Sequence, residues 1–158
     1  MNAIGCNNFT VICPTGWSEV IFSDDEENPV PTWEKSGGVG AVKFTVAHYA
    51  GGEPPNIGRD FLVGQLNKFP EVFDLRWRSP AEWCDNPAGG WFGYSGIFES
   101  DKEFVKVWNL SDGDNYCYAT YTCPREQESS GELQEADELM ASFRFCRIIG
   151  RGPIPQRG

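Results

Sequence analysis

Between Trp91 and Cys123 the chain runs through three segments rich in aromatic, Val, Ile and Thr residues, 91–99, 103–110 and 116–123. Only Ser100-Asp101-Lys102 and Ser111-Asp112-Gly113-Asp114-Asn115 interrupt them. Aromatic and β-branched residues favour strands, and Ser, Asp, Asn and Gly are the residues that tight turns recruit. Turns this short join antiparallel neighbours, so the middle of the chain is predicted to be a β-meander. A meander buries one or both faces, and whatever helices the chain forms must cover them.

The flanking segments supply those helices and further strands. Residues 9–13 read as a short strand closed by Pro14-Thr15-Gly16, and 17–22 alternate as a second strand of a predicted hairpin. A polar loop over 23–31 follows. Gly37-Gly38-Val39-Gly40 then leads into a strand on which Val42, Phe44, Val46 and His48 share one face. Phe61, Leu62, Leu66 and Phe69 fall at near-helical spacing, which predicts a helix over 57–69 capped by Asn56 and stopped by Pro70. Residues 71–78 alternate as another strand, and 79–90, with two prolines and Gly89-Gly90, read as loop. Ser129 and Glu132 form a capping-box pattern ahead of the apolar stripe Leu133, Ala136, Leu139, Met140 and Phe143, which predicts the last helix. Residues 143–149 return to extended character. The fold class is α+β, an antiparallel β-sheet flanked by helices, most simply a three-layer α/β/α sandwich. One domain is expected over 1–149, with a flexible C-terminal tail over 150–158.

Charge narrows the function classes. The 158 residues carry 13 Lys plus Arg against 23 Asp plus Glu, a net charge of −10 and a pI near 4.5. Nucleic-acid binding draws its affinity from cations that neutralise phosphates, so no nucleic-acid partner is expected. The acid is unevenly spread. Arg144, Arg147, Arg151 and Arg157 make the last 16 residues purely basic, leaving nine basic against 23 acidic side chains, a charge of −14, on residues 1–142. With 40% hydrophobic residues and 22 aromatics the composition is globular. No run approaches the roughly 18 apolar residues of a membrane span, and the N-terminus lacks the features of a signal peptide, so a cytoplasmic location is expected. The six cysteines, Cys6, Cys13, Cys84, Cys117, Cys123 and Cys146, form no C-x-x-C and are expected to be reduced and mostly buried. With one histidine there is little from which to build a zinc site, and no cofactor is expected.

The search for catalytic constellations returns little. His48 is the single histidine available to a Ser-His-Asp or Cys-His mechanism, and its place on an apolar strand face reads as a hydrogen-bonded strand-end residue. Asp112-Gly113-Asp114-Asn115 looks like the opening of a calcium loop, but Cys117 and Cys123 stand where an EF-hand needs Gly and Glu, so it reads as a hairpin turn. The Gly37–Gly40 stretch enters a strand, not a helix, and so lacks the helix N-terminus of a phosphate-binding loop. Glu82 and Asp85 are neighbours with nothing to fix their separation. Two segments have the character of a binding surface. The run Asp24, Asp25, Glu26 and Glu27 would steer a basic partner. The loop region bearing Trp83, Trp91, Phe92 and Tyr94, amid Pro80, Pro87, Gly89 and Gly90, offers aromatic anchors.

Three stretches carry a family resemblance: the opening run from Phe9 to the Pro-x-Gly-Trp at Pro14–Trp17, the strand Ala41-Val42-Lys43-Phe44-Thr45-Val46, and Tyr118-Ala119-Thr120-Tyr121-Thr122-Cys123 followed by the segment 135–145. Together they resemble the PsbP-like superfamily, in particular its small bacterial members. The matching motifs are packing motifs, so the resemblance implies a fold and, since the better-known members act by binding other proteins, a binding role. The expected function is a non-catalytic protein–protein interaction module, an adaptor, chaperone or immunity-type binder whose acidic surface meets a basic protein. Two alternatives stand beside it: a small-ligand-binding domain with an aromatic pocket between sheet and helix, and an enzyme using Cys84 or His48.

Overall fold

A computed structural model describes residues 3–5, 9–20, 30–47 and 56–146. Along them run β1 (Ala3–Gly5), β2 (Phe9–Ile12), β3 (Trp17–Glu19), β4 (Thr32–Lys35), β5 (Ala41–Ala47), α1 (Arg59–Phe73), β6 (Arg76–Trp83), β7 (Phe92–Glu99), β8 (Glu103–Ser111), β9 (Tyr116–Pro124), α2 (Ser130–Ala141) and β10 (Arg144–Phe145). Seven strands form one antiparallel sheet in the order β3-β4-β5-β9-β8-β7-β6, and β1, β2 and β10 form a second, three-stranded sheet. The predicted meander is present as β7-β8-β9, in continuous register from Phe92↔Ser111 to Glu103↔Pro124.

The period of two sorts the sheet into two faces. Phe104, Trp108 and Leu110 of β8 lie beside Cys123, Ala119 and Cys117 of β9, which in turn lie beside Phe44 and Val46 of β5. On this face α2 buries Ala136, Leu139 and Met140, and the small sheet contributes Phe9 and Val11. The Phe9, Phe44 and Phe143 rings stack there at 4.9, 5.3 and 5.8 Å. Val105 and Val107, the intervening residues of β8, face the other way and meet Leu66 and Phe69 of α1 together with Phe98. Each buried Phe or Leu contributes on the order of 2 kcal/mol by leaving water. Among the described residues the architecture is an antiparallel sheet with two α-helices, an α+β fold. No described helix is long and apolar enough to cross a membrane.

Five expectations are corrected. The β2–β3 hairpin does not form: β2 pairs with β1 and β10, β3 pairs with β4, and the turn at Pro14–Gly16 carries the chain from one sheet to the other. Residues 32–35, left without an element by the sequence pattern, are β4. Pro70 does not stop α1, which continues to Phe73. A proline forfeits one N–H bond, and the stacking of Phe73 on Phe69 (4.6 Å) holds the last turn in place. The helix starts without a side-chain cap, Asn56 standing outside it at φ 53° and Gly58 taking the cap position. Finally, the strand predicted over 71–78 is displaced: 71–73 belong to α1, and β6 keeps only 76–78 of it and runs on through 79–83, where a loop was predicted. It is an edge strand with register shifts between Trp77 and Ser79 and between Ser79 and Glu82, which hides its alternation and lets it carry Pro80.

Candidate functional site: the face of α1 and β6

The acidic run Asp24, Asp25, Glu26 and Glu27 lies outside the described residues, as does His48. The aromatic group separates into two parts. Trp91 is 6% exposed, and its indole N–H donates to the Phe143 carbonyl at 2.8 Å, so it belongs to the core. Trp83, Phe92 and Tyr94 stay together at the surface. The Trp83 and Tyr94 rings pack at 4.3 Å, and the Arg59 guanidinium lies 4.7 Å above Trp83 and 5.0 Å above Phe92. Arg59 in turn donates twice to Asp85, at 2.7 and 3.2 Å, while Asp85 accepts from the Gly93 N–H at 3.3 Å. The paired guanidinium, helped by that N–H, holds the Asp85 carboxyl below its usual range. This clasp fastens the N-terminal end of α1 to the β6–β7 connection.

The C-terminal end of α1 forms the other half of the face. Phe69 packs on Phe73 at 4.6 Å and on Phe98 at 5.3 Å, and Trp77 covers Phe98 at 4.5 Å. Gly96 makes room for that indole, since a Cβ there would lie 3.0 Å from the Trp77 ring. Val72, Phe73, Trp77 and Trp83 are 69%, 55%, 41% and 45% exposed, and with Phe61 they place five of the seven exposed large apolar side chains among the described residues on α1 and β6. Of these, only Trp83 stood out in the sequence. Val72-Phe73, two residues past Pro70 and outside the apolar stripe Leu62, Leu66 and Phe69, was the available signal, because adjacent residues of a strand point to opposite faces and only one of the pair can be turned inward there.

On the opposite face a groove of about 370 Å³ opens between the sheet and the start of α2, floored by Ile97, Phe104, Tyr121, Cys123 and Leu133. At its mouth Arg78 bonds Glu128 at 2.6 Å and lies over the Phe104 ring. Glu99 sits 3.7 Å from Arg78 and 3.6 Å from Arg125, so the charges there balance.

The Gly-rich loop holds an anion after all, and it is the protein's own. The Glu132 carboxylate accepts from the Val39 N–H at 3.0 Å, the Gly40 N–H at 2.8 Å and the Tyr121 hydroxyl at 2.7 Å. Ser129 caps α2 as expected, accepting from the Glu132 N–H at 3.2 Å, but the other half of the capping box is diverted to this loop. A Cβ on Gly38 would stand 2.5 Å from the Glu132 carboxylate, and one on Gly40 would stand 2.7 Å from the Thr122 carbonyl, so both positions require glycine.

Cys84 is half-buried, and burial pushes its thiol up to about 11, where the thiolate nucleophile is scarce at neutral pH. Cys13, Cys84, Cys117, Cys123 and Cys146 are all free thiols. Asp112 spends its carboxylate on the N–H groups of Asp114 and Asn115, at 3.0 and 2.7 Å, closing the β8–β9 turn. Among the described residues no three His, Cys, Asp or Glu side chains are grouped to hold a metal ion.

No protein-family model matches the sequence. No curated protein sequence matches it either. Solved structures do match the fold. The solution structure of cyanobacterial PsbP (CyanoP) from Synechocystis sp. PCC 6803 superimposes with a TM-score of 0.56 at 9% identity, covering 89% of this chain and 88% of that one. A crystal structure from Bacteroides thetaiotaomicron VPI-5482 superimposes with a TM-score of 0.54 at 14% identity over 88% of this chain, which spans only 45% of that protein's length. The sheet, its two helices and these superpositions give one conclusion: the chain has a PsbP-like fold.

Proposed function

We propose that this chain is a non-catalytic protein-interaction module of the cytoplasm, in the manner of an adaptor or chaperone, and that it meets its partner with the face made by α1 and β6. The observation that carries this reading is the one-sided distribution of exposed large apolar side chains, five of the seven among the described residues lying on two adjacent elements. Apolar groups gathered on one face of a soluble domain mark an interaction surface. Trp and Phe anchors set beside arginine are the composition of interface hot spots. The net charge of −10 adds long-range attraction for a basic partner. In this reading the helices and the sheet are three layers, with the small sheet sharing the layer of α2. Site-specific photo-crosslinking tests it. A benzoylphenylalanine at position 61 or 83 is expected to give a covalent partner adduct in cells, and one at exposed position 138 on α2 is not. Adducts from position 138 alone would sink the proposal.

The groove beside α2 supports a second reading, a small-ligand site, because its volume lies at the lower end of the range for such pockets. A thermal-shift screen separates the two, since a ligand bound to the folded state raises Tm by mass action.

A further inference from the structure

Resting on the interaction reading, we propose that its anchor is the C-terminal end of α1 with the start of β6, and that this corner receives a basic, apolar segment of another protein. Residues 70–77 break four rules of local stability at once. Pro70 lies inside the helix. Glu71 occupies the last turn with no basic residue there, and Asp74 follows at the cap, so both sit at the carbonyl end, where the helix dipole disfavours anions. Asp74 holds φ 56°, a position usually given to glycine. Val72, Phe73 and Trp77 leave much of their apolar surface in water. Departures from local consistency that cluster in one place mark a functional site.

Each departure is relieved by the same kind of partner. A Lys or Arg set against the carbonyl end of α1 would neutralise the dipole and pair with Glu71 or Asp74, neither of which has a cation partner among the described residues. Apolar side chains beside it would cover Val72, Phe73 and Trp77. The other charges around the corner leave this demand in place. Arg76 is already shared between Glu99 at 3.5 Å and Asp101 at 3.3 Å. Lys68 stands one turn back on the helix and Lys102 in the β7–β8 turn, so the carboxylates still outnumber the cations, with the helix end added to them. A second copy of the chain fits poorly, because two molecules of charge −10 repel and the corner would meet its own sign.

Phage display of random peptides of about twelve residues, panned on the whole folded chain at low salt, is the test. The expected winners place Lys or Arg next to Trp, Phe, Leu or Ile. A synthetic winner should lose about tenfold or more in affinity against Val72→Ser/Phe73→Ser and against Glu71→Lys, and keep it against Trp83→Ser. Misfolding is separable from lost binding, because Glu71→Lys puts a cation at the carbonyl end and is expected to raise Tm. Winners without basic residues, or no winners, overturn the inference. Winners lost on Trp83→Ser and indifferent to residues 71–73 overturn it while leaving the interaction reading standing. Self-association in ultracentrifugation that Phe73→Ser abolishes overturns it in favour of a second copy.

Discussion

Glu132 shows how much one side chain can hold. It is 5% exposed and ties α2 to the Gly38–Gly40 loop and to the Tyr121 phenol of β9, whose pKa burial and the adjacent carboxylate push up. Removing the carboxylate leaves two backbone N–H groups and a buried hydroxyl without an acceptor, and each such orphan costs roughly 1–3 kcal/mol. Glu132→Ala is therefore expected to lower the unfolding free energy in urea by about 3 kcal/mol, and Glu132→Gln, which keeps an acceptor, by about half as much. A loss below about 1 kcal/mol for the alanine variant would show that the loop finds other acceptors. Half of this arrangement is legible in the sequence. The Ser129–Glu132 spacing locates the helix start, but nothing local reveals that Glu132 is bound to a loop some 92 residues away. The Gly-rich stretch likewise announces a need for small residues without saying that a carboxylate and the Tyr121 ring cause it.

At the scale of elements, legibility follows how far an element's neighbours dictate it. Strands β7, β8 and β9 are paired with each other by short turns, so their own residues carry the whole signal, and their ends fall within a residue or two of expectation. Helix α1 and strand β6 fail for the opposite reason. Pro70 argues locally for a stop, and the alternation after it argues for a strand, but the Phe69–Phe73 and Trp77–Phe98 contacts draw the chain through one more helical turn before the sheet edge begins. Trp83, read as loop, is the last residue of that edge. The resulting end is strained at Asp74, whose left-handed conformation costs an ordinary residue about 1–2 kcal/mol, less for Asp. Asp74→Gly should remove that cost and one anion from the carbonyl end, offset by the greater freedom of glycine in the unfolded chain, for a net gain of about 0.5 kcal/mol. A shift of the urea midpoint to lower concentration would mean that the Asp74 side chain supports the turn in a way its backbone angles do not reveal.

Over the whole molecule, the excess of carboxylates and the specific ion pairs oppose one another, and pH separates them. At pH 7 a chain of charge −10 repels itself, and salt screens that repulsion, so added NaCl is expected to raise Tm. Near the isoelectric pH of 4.5 the net repulsion is gone, and what remains to screen is attraction. Arg59 still grips Asp85, and Lys35 with the Trp17 indole still grips Glu135 at 2.9 Å. Salt should lower Tm there or leave it unchanged, so the sign of its effect turns over between the two pH values. Both gripped carboxylates are held below their usual range, Asp85 chiefly by the bond from Arg59 and Glu135 chiefly by the bond from Trp17. A folded-state pKa below the unfolded one gives stability that is complete above the unfolded value of about 4 and is lost as pH falls through the folded value. Tm should therefore drop below about pH 4, and the drop should be shallower in Asp85→Asn/Glu135→Gln, whose Tm at pH 7 is also lower. Melting curves of both proteins from pH 3 to 8, at low and high salt, decide the matter. A Tm lowered by salt at pH 7 would mean that specific pairs outweigh the net charge throughout. An acid limb equally steep in the double variant would mean that carboxylates other than these two carry the acid lability.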